Sequence, residues 1–262
     1  MSKVENILRE NRDSGRGTLV GYFPAGYPTV DDSVDALVAM AKNGCDILEV
    51  GVPYSDPVMD GLVIQQATEK ALANGFRLKQ TFEVIKRVRE QVDTPMLVMS
   101  YWNPVLRFGV EEFADQLKSS GAQGMITPDL IPDEGSRWLD AASDRDLDHV
   151  FLVAPSSSDE RVKANSAASQ GFVYSVSTMG ITGERANLDQ LARQVVGKVK
   201  DLGTAPTCVG VGISTAAQVR EVNSYADGAI VGTAFVKAYE TGGLAALTEK
   251  TRELAGGLGL EA

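Results

Sequence analysis

Short, nearly uninterrupted hydrophobic runs alternate along this chain with longer stretches in which apolar residues recur every three or four positions. The runs are TLVGYF (18–23), DILEVGV (46–52), PMLVMSYW (95–102), GMITPDL (124–130), HVFLVAP (149–155), FVYSVS (172–177), TCVGVG (207–212) and GAIVG (228–232). Continuous hydrophobicity over so few residues is the mark of strands buried on both faces. Between the runs lie amphipathic helical patterns such as VDDSVDALVAMAKNG, VEEFADQLKSSG, ARQVVGKVKDLG and STAAQVREVNSYADG, several ending in the glycine that suits a helix C-terminus. Strand–helix alternation predicts parallel βαβ units, and eight of them in about 250 residues predict a closed (β/α)8 barrel of the TIM type. An open doubly wound sheet is the alternative, but it usually has fewer strands, and the GxGxxG fingerprint after its first strand is missing. Residues 1–262 read as one domain. Ser2 and Glu5 have capping-box spacing ahead of Ile7 and Leu8, so an extra N-terminal helix is expected, placed to plug the bottom of the barrel. The glycine-rich tail LAGGLGLEA is expected to fray.

Composition narrows the chemistry. At 44% hydrophobic and 23% charged, the chain is globular, and no apolar run reaches the roughly 18 residues of a membrane span. Its charged start, MSKVENILRENRDSG, lacks the apolar core of a secretory signal, so the cytoplasm is the expected location. Cys45 and Cys208 are too far apart, with no CxxC or Cys/His spacing, for a disulfide framework or a zinc site, and read as reduced structural residues. A single histidine, His149, leaves little from which to build a catalytic triad or a metal centre, so no metal is expected. The net charge of −10, without clustered Lys or Arg, opposes nucleic acid and anionic membrane. An anionic substrate would need local help, which backbone N–H groups at helix N-termini can give.

In a parallel barrel the polar residues at the C-terminal strand ends are the candidates for catalysis. The two-residue period of DILEVGV puts Ile47, Glu49 and Gly51 on one face and the aliphatic Leu48, Val50 and Val52 on the other. The aliphatic face suits the helices, which turns Glu49 into the lumen, where burial would raise its pKa and fit it for proton transfer near neutral pH. The competing reading, a lumen carboxylate neutralised by a basic side chain, meets the absence of Lys and Arg from all eight runs. Asp60 sits in PYSDPVMDG before a helical pattern, and either caps that helix or reaches into the site as a second carboxylate with a different role. The last two strands end in VGVGIST (209–215) and VGTAFVK (231–237), each passing from glycine into a helix with Ser214 or Thr233 at its start, the pattern of a phosphate site. STMGITGER (177–185) follows the sixth strand and is either a lid closing over substrate or an ordinary exposed loop.

LEVGVPYSDPVMDG (48–61) resembles the signature of the tryptophan synthase alpha chain family, and AGYPT, YWNP, PDLIPDE, GITGER, VGVGIST and VGTAFVK follow in family order over essentially the whole chain. The resemblance implies retro-aldol cleavage of indole-3-glycerol phosphate to indole and glyceraldehyde 3-phosphate. It also implies no cofactor in this chain, and a partner beta chain that carries pyridoxal phosphate in an α2β2 assembly. It assigns Glu49 as the general acid/base at the ring carbon that loses its side chain, and Asp60 as the group at the indole N–H. Tyr22, Ile64, Tyr101, Ile126 and Tyr174 match positions lining the indole side. Gly183, Val211, Gly212, Ile213, Gly232 and Thr233 match the phosphate side. Gly180 and Thr182 belong to the lid, while Asp56, Pro57 and Asn103 lie in loops suited to the partner. Tyr27, Met59, Ile131, Thr178 and Thr233 depart from the usual family residues, and none touches the two carboxylates. Other readings on the same barrel are a sugar-phosphate isomerase, or a non-catalytic subunit that binds an indole-like ligand to regulate another enzyme. A Schiff-base aldolase would need a lysine at a strand end, and the runs contain none.

Overall fold

The computed structural model describes residues 1–176, 185–203, 205–210 and 212–259, with the backbone alone for 185–189. Among these, β1 (Leu19–Pro24), β2 (Ile47–Gly51), β3 (Met96–Met99), β4 (Gly124–Thr127), β5 (Asp148–Val153), β6 (Val173–Val176), β7 (Thr207–Gly210) and β8 (Gly228–Val231) pair in sequence order, and β8 closes on β1. All these pairings are parallel, so the predicted closed barrel is the observed fold. The helices are α1 (Lys3–Asp13), α2 (Val30–Lys42), α3 (Leu62–Ala73), α4 (Lys79–Arg89), α5 (Trp102–Phe108), α6 (Val110–Ser120), α7 (Ser136–Ser143), α8 (Asp159–Ala168), α9 (Arg185–Leu202), α10 (Ala216–Asn223) and α11 (Thr233–Ala255).

Each of the eight hydrophobic runs marks a strand; β1 and β5 reach one residue beyond theirs, to Pro24 and Asp148, and several other runs are longer than their strand. β3 ends at Met99 because Trp102 already opens α5, its N–H bonded to the Asp129 carboxylate at 2.9 Å. β4 ends at Thr127, before Pro128, which has no N–H to give the ladder.

Alternation along the strands builds two separate cores. Val20, Ile47, Leu97, Ile126, Val150, Phe172, Cys208 and Ile230, one contributed by each strand or the residue just before it, form a buried cluster that fills the lumen. Leu19, Phe23, Leu48, Val50, Met96, Val98, Phe151 and Val209 belong to the outer core between strands and helices. Leu48, Val50 and Val52 face the helices as expected, so Glu49 is turned inward with Ile47. Cys208 is a lumen residue and Cys45 an outer-core one; both are buried and reduced. His149 is on the outward phase of β5 and packs edge-on to Phe151 with ring centroids 6.4 Å apart, a structural place.

The expected N-terminal helix is α1, with Ser2 as N-cap accepting from the Glu5 N–H at 3.2 Å. Its Val4 and Leu8 join the lumen cluster and floor the barrel. The expectation of a fraying tail is wrong as far as Gly259. Leu258 is buried in the outer core, its carbonyl accepts from the Gly17 N–H at 2.8 Å, and Gly259 bridges Arg16. Gly257 lies so close to the Ala216 carbonyl that an added Cβ would meet it at 2.1 Å, so this glycine serves close packing rather than slack.

Candidate active site

Glu49 lies on β2 directly beside Tyr22 of β1 in the strand register, above the lumen cluster. It has no accessible surface, and among the described residues neither carboxylate oxygen has a hydrogen-bond partner. Burial alone lifts its carboxyl to about 8, so at neutral pH it mostly holds a proton. Neutralisation by a buried base finds no counterpart among the described ion pairs.

Asp60 does not cap α3. The N-cap is Gly61, without a side-chain bond, and the Asp60 carboxylate instead accepts from the Tyr101 hydroxyl at 3.3 Å. The same hydroxyl accepts from the Met59 N–H at 2.9 Å, and Gln65 Nε2 donates to the Asp60 carbonyl at 2.8 Å, which fixes the loop before α3 from both sides. Burial raises the Asp60 pKa, while the Tyr101 bond favours its charged form and pulls it down. Tyr101 itself stands at the N-cap of α5 and stays protonated, because burial and the Asp60 charge push its pKa up.

Three glycines open the mouth to ring-bearing side chains. A Cβ on Gly51 would fall 2.2 Å from the Tyr22 hydroxyl, one on Gly210 would fall 2.8 Å from the Tyr174 hydroxyl, and one on Gly232 would meet both Tyr22 and Ile64. Tyr22, Tyr174, Ile64 and Gly232 therefore share this mouth with the carboxylates. Burial, then Asp60 and Glu49, hold the Tyr22 hydroxyl well above its usual range, and burial, then Glu49, Cys208 and Asp60, do the same for Tyr174. Both remain neutral. Ile126 is fully buried within the lumen cluster.

On the phosphate side, Gly212 has φ of +70°, the left-handed region that favours glycine, and is exposed. Ile213 is buried in the outer core, which leaves its backbone rather than its side chain to serve a ligand. The seventh helix turn differs from expectation: α10 begins at Ala216 with Thr215, not Ser214, near its start as N-cap. The Gln218 side chain closes a capping box and accepts from both Ser214 N and Thr215 N, so part of this helix terminus is already satisfied. α11 does begin at Thr233, with Gly232 as an N-cap that offers no side chain. Gly183, Val211, Gly180 and Thr182 lie outside the described residues.

Asp56 and Asn103 are exposed, and Pro57 is half-buried; the Asn103 amide donates to the Tyr54 hydroxyl at 3.0 Å, which ties α5 to the loop before Asp60. Sequence reasoning missed three exposed apolar neighbours in these segments, Val58 (72% exposed), Leu62 (63%) and Leu106 (46%). A signal existed for Leu62, which opens an LVI triplet too apolar for a purely amphipathic helix start. It also missed Met99 and Leu152, which pack partly buried on the lumen cluster and continue the inward phase of Leu97 and Val150 by two residues.

Comparison with known proteins agrees with this geometry. The family model described as tryptophan synthase alpha chain matches residues 8–257. A tryptophan synthase alpha chain of Leifsonia xyli subsp. xyli is 54% identical, over 98% of this chain and 98% of that one. Among solved structures, tryptophan synthase of Mycobacterium tuberculosis superposes with a TM-score of 0.94 at 48% identity, covering 99% of each chain. A chain from the tryptophan synthase α2β2 complex of Pyrococcus furiosus gives 0.86 at 34% identity, over 92% of this chain and 99% of that one. With the barrel, the inward Glu49 and these matches in agreement, the chain belongs to the tryptophan synthase alpha chain family, the carbon–carbon lyases that cleave indole-3-glycerol phosphate.

Proposed function

We propose that Glu49 and Asp60 divide the acid–base work of this cleavage. Protonated Glu49 gives its proton to the indole carbon that bears the side chain, and the Asp60 carboxylate stabilises the positive charge that develops at the ring N–H. The Glu49 carboxylate then takes the proton of the adjacent side-chain hydroxyl. The carbon–carbon bond breaks as its electron pair returns to the ring, and the carbonyl of glyceraldehyde 3-phosphate forms. One proton has moved from hydroxyl to ring carbon, and Glu49 ends as it began.

The observation that carries this reading is the buried, unpartnered Glu49 with a pKa near 8, close enough to the working pH to serve as acid and then as base. The one-donor environment of Asp60 leaves its second oxygen for the substrate. Tyr22, Ile64, Tyr101, Ile126 and Tyr174 form the apolar and aromatic wall for the indole ring. Gly212, Ile213, Gly232 and Thr233, with Gly183 and Val211, hold the phosphate through backbone N–H groups. Gly180 and Thr182 act in the lid, and the chain works as one cytoplasmic barrel domain without a cofactor of its own.

The indole goes to a pyridoxal-phosphate beta chain in an α2β2 assembly. The Pyrococcus furiosus relative comes from such a complex, and the exposed Val58, Leu62 and Leu106 give the segments holding Asp56, Pro57 and Asn103 apolar area to cover. The test is indole release from indole-3-glycerol phosphate, with and without a beta chain. Glu49→Gln should abolish release and still bind a phosphate-bearing substrate analogue; full turnover by that variant would overturn the assignment.

A further inference from the structure

The Asp60 carboxylate is held through one bond, and that bond depends on where a single ring sits. The Tyr101 hydroxyl must lie at once within reach of the Met59 N–H, 2.9 Å away, and of Asp60 Oδ1, 3.3 Å away. The second distance is at the long end for a hydroxyl donor, so a displacement of a few tenths of an ångström breaks it. Tyr101 stands at the turn from β3 into α5, where the backbone at its N-cap position does not by itself fix the ring's rotation.

The Tyr54 ring packs against it. Its centroid is 5.4 Å from that of Tyr101, with the planes inclined by 35°. Tyr54 is in turn fixed at its far end, where its hydroxyl accepts from Asn103 Nδ2 at 3.0 Å. Tyr54 precedes Asp60 in the same loop, and Asn103 follows Tyr101 in the first turn of α5, where the next strand–helix connection ends. The two connections are therefore clamped together by one ring contact and one hydrogen bond, beside the hydroxyl that holds Asp60.

We infer that Tyr54 is a positioning residue for the cleavage: its ring, anchored by Asn103, holds Tyr101 in the rotation that aims its hydroxyl at Asp60. The inference rests on the assignment of Asp60 to the substrate N–H. When the brace is lost the Tyr101 bond to Asp60 loosens. That bond favours the charged carboxylate, so its loss raises the pKa of Asp60, and a higher pH is then needed to ionise it. The acid limb of the rate profile moves up. A residue that merely filled space would alter stability and leave that limb where it is.

The experiment measures indole release by the full chain across pH. Tyr54→Leu should lower kcat about tenfold, a small misplacement of a catalytic group, with KM within about twofold, and should shift the acid limb of kcat/KM toward neutrality. Tyr101→Phe should shift the limb in the same direction, and combining the two should add nothing further, because both act through one bond. Tyr54→Phe, which keeps the ring but gives up the Asn103 bond, should recover most of the wild-type rate and leave only the small limb shift that Asn103→Ala gives. Should Tyr54→Leu fail to fold, Asn103→Ala loosens the anchor from the surface and should give a smaller shift of the same sign. A wild-type acid limb in Tyr54→Leu or in its Asn103→Ala substitute, equal impairment in Tyr54→Phe and Tyr54→Leu, or full additivity with Tyr101→Phe would each overturn the inference. Asp60→Asn separates the two levels. If it turns over normally, the role of Asp60 fails; if it is inactive while the Tyr54 variants are normal, only the role of Tyr54 fails.

Discussion

At the lower end of the barrel, Asp46 accepts from Arg16 Nη1 at 2.8 Å and from the Leu19 N–H at 3.0 Å, and Asp227 accepts from Arg12 Nη1 at 3.0 Å and the Thr207 N–H at 2.8 Å. At the upper end, Glu49 has no partner among the described residues and Asp60 has one neutral phenol. The difference is one of purpose. Paired with cations and backbone donors, the lower carboxylates tie α1 and the loop before β1 to the strands. The upper ones lack those partners, and burial raises the proton affinity of both, that of Glu49 to about 8. Asp148 is the lower-end exception. Buried at the foot of β5, it is raised to about 6 by burial first, with Glu5 adding to the rise and the Ser2 hydroxyl and the chain's amino terminus opposing it.

The largest effect that could break this contrast is on turnover. Glu49→Gln should cost about a thousandfold in indole release, the scale of a lost general acid/base. The same variant should be more stable than wild type. The folded pKa of about 8 lies above the ordinary value of 4.5, so folding disfavours the carboxylate, and wild-type stability falls as pH rises between those values. At pH 7 the relief should be at most about 3 kcal/mol, read as a higher urea midpoint. An upper carboxylate whose removal destabilised the fold would belong with the lower set.

A second measurement concerns pH. The kcat/KM profile should fall on the alkaline side near pH 8 as Glu49 loses its proton in the free enzyme. Removing that limb with Glu49→Gln is not possible, since activity goes with it, but a limb far from 8 would refute the protonated resting state. At the lower end, Asp227→Ala strands the buried Thr207 N–H and should cost about 2 kcal/mol of stability with kcat unchanged. An effect of similar size is expected at Asp148, which is raised from 3.8 to about 6: wild-type stability should drop by about 2 kcal/mol as pH rises through that window, and Asp148→Asn should flatten the slope. A turnover defect in either lower-end variant with stability intact would erase the division between the two ends.

The eight strands were legible because both faces of each are buried, which leaves an uninterrupted apolar run, and Glu49 was legible because it interrupts one such run on the inward phase. Asp60 was only half legible, since an acid before a glycine and a helix fits a cap as well as a site; the Tyr101 contact that decides it lies 41 residues away in sequence. The Tyr54 brace was illegible for the same reason, being a contact between two connections rather than a pattern within one. The tail misled because glycine is read as freedom, whereas Gly257 is there to let the chain approach Ala216 closely. At α10 the start signal was blurred by adjacent Ser214 and Thr215, both competent caps, and only the position of Gln218 three residues after Thr215 selects the latter.

The floor that Val4 and Leu8 lay beneath the strands, under a lumen filled by side chains, closes that end of the barrel. The cleavage is left to the upper end, and its two products differ in character. Glyceraldehyde 3-phosphate carries charge and is at home in water. Indole does not, and the exposed Val58, Leu62 and Leu106 give that end an apolar edge of matching character.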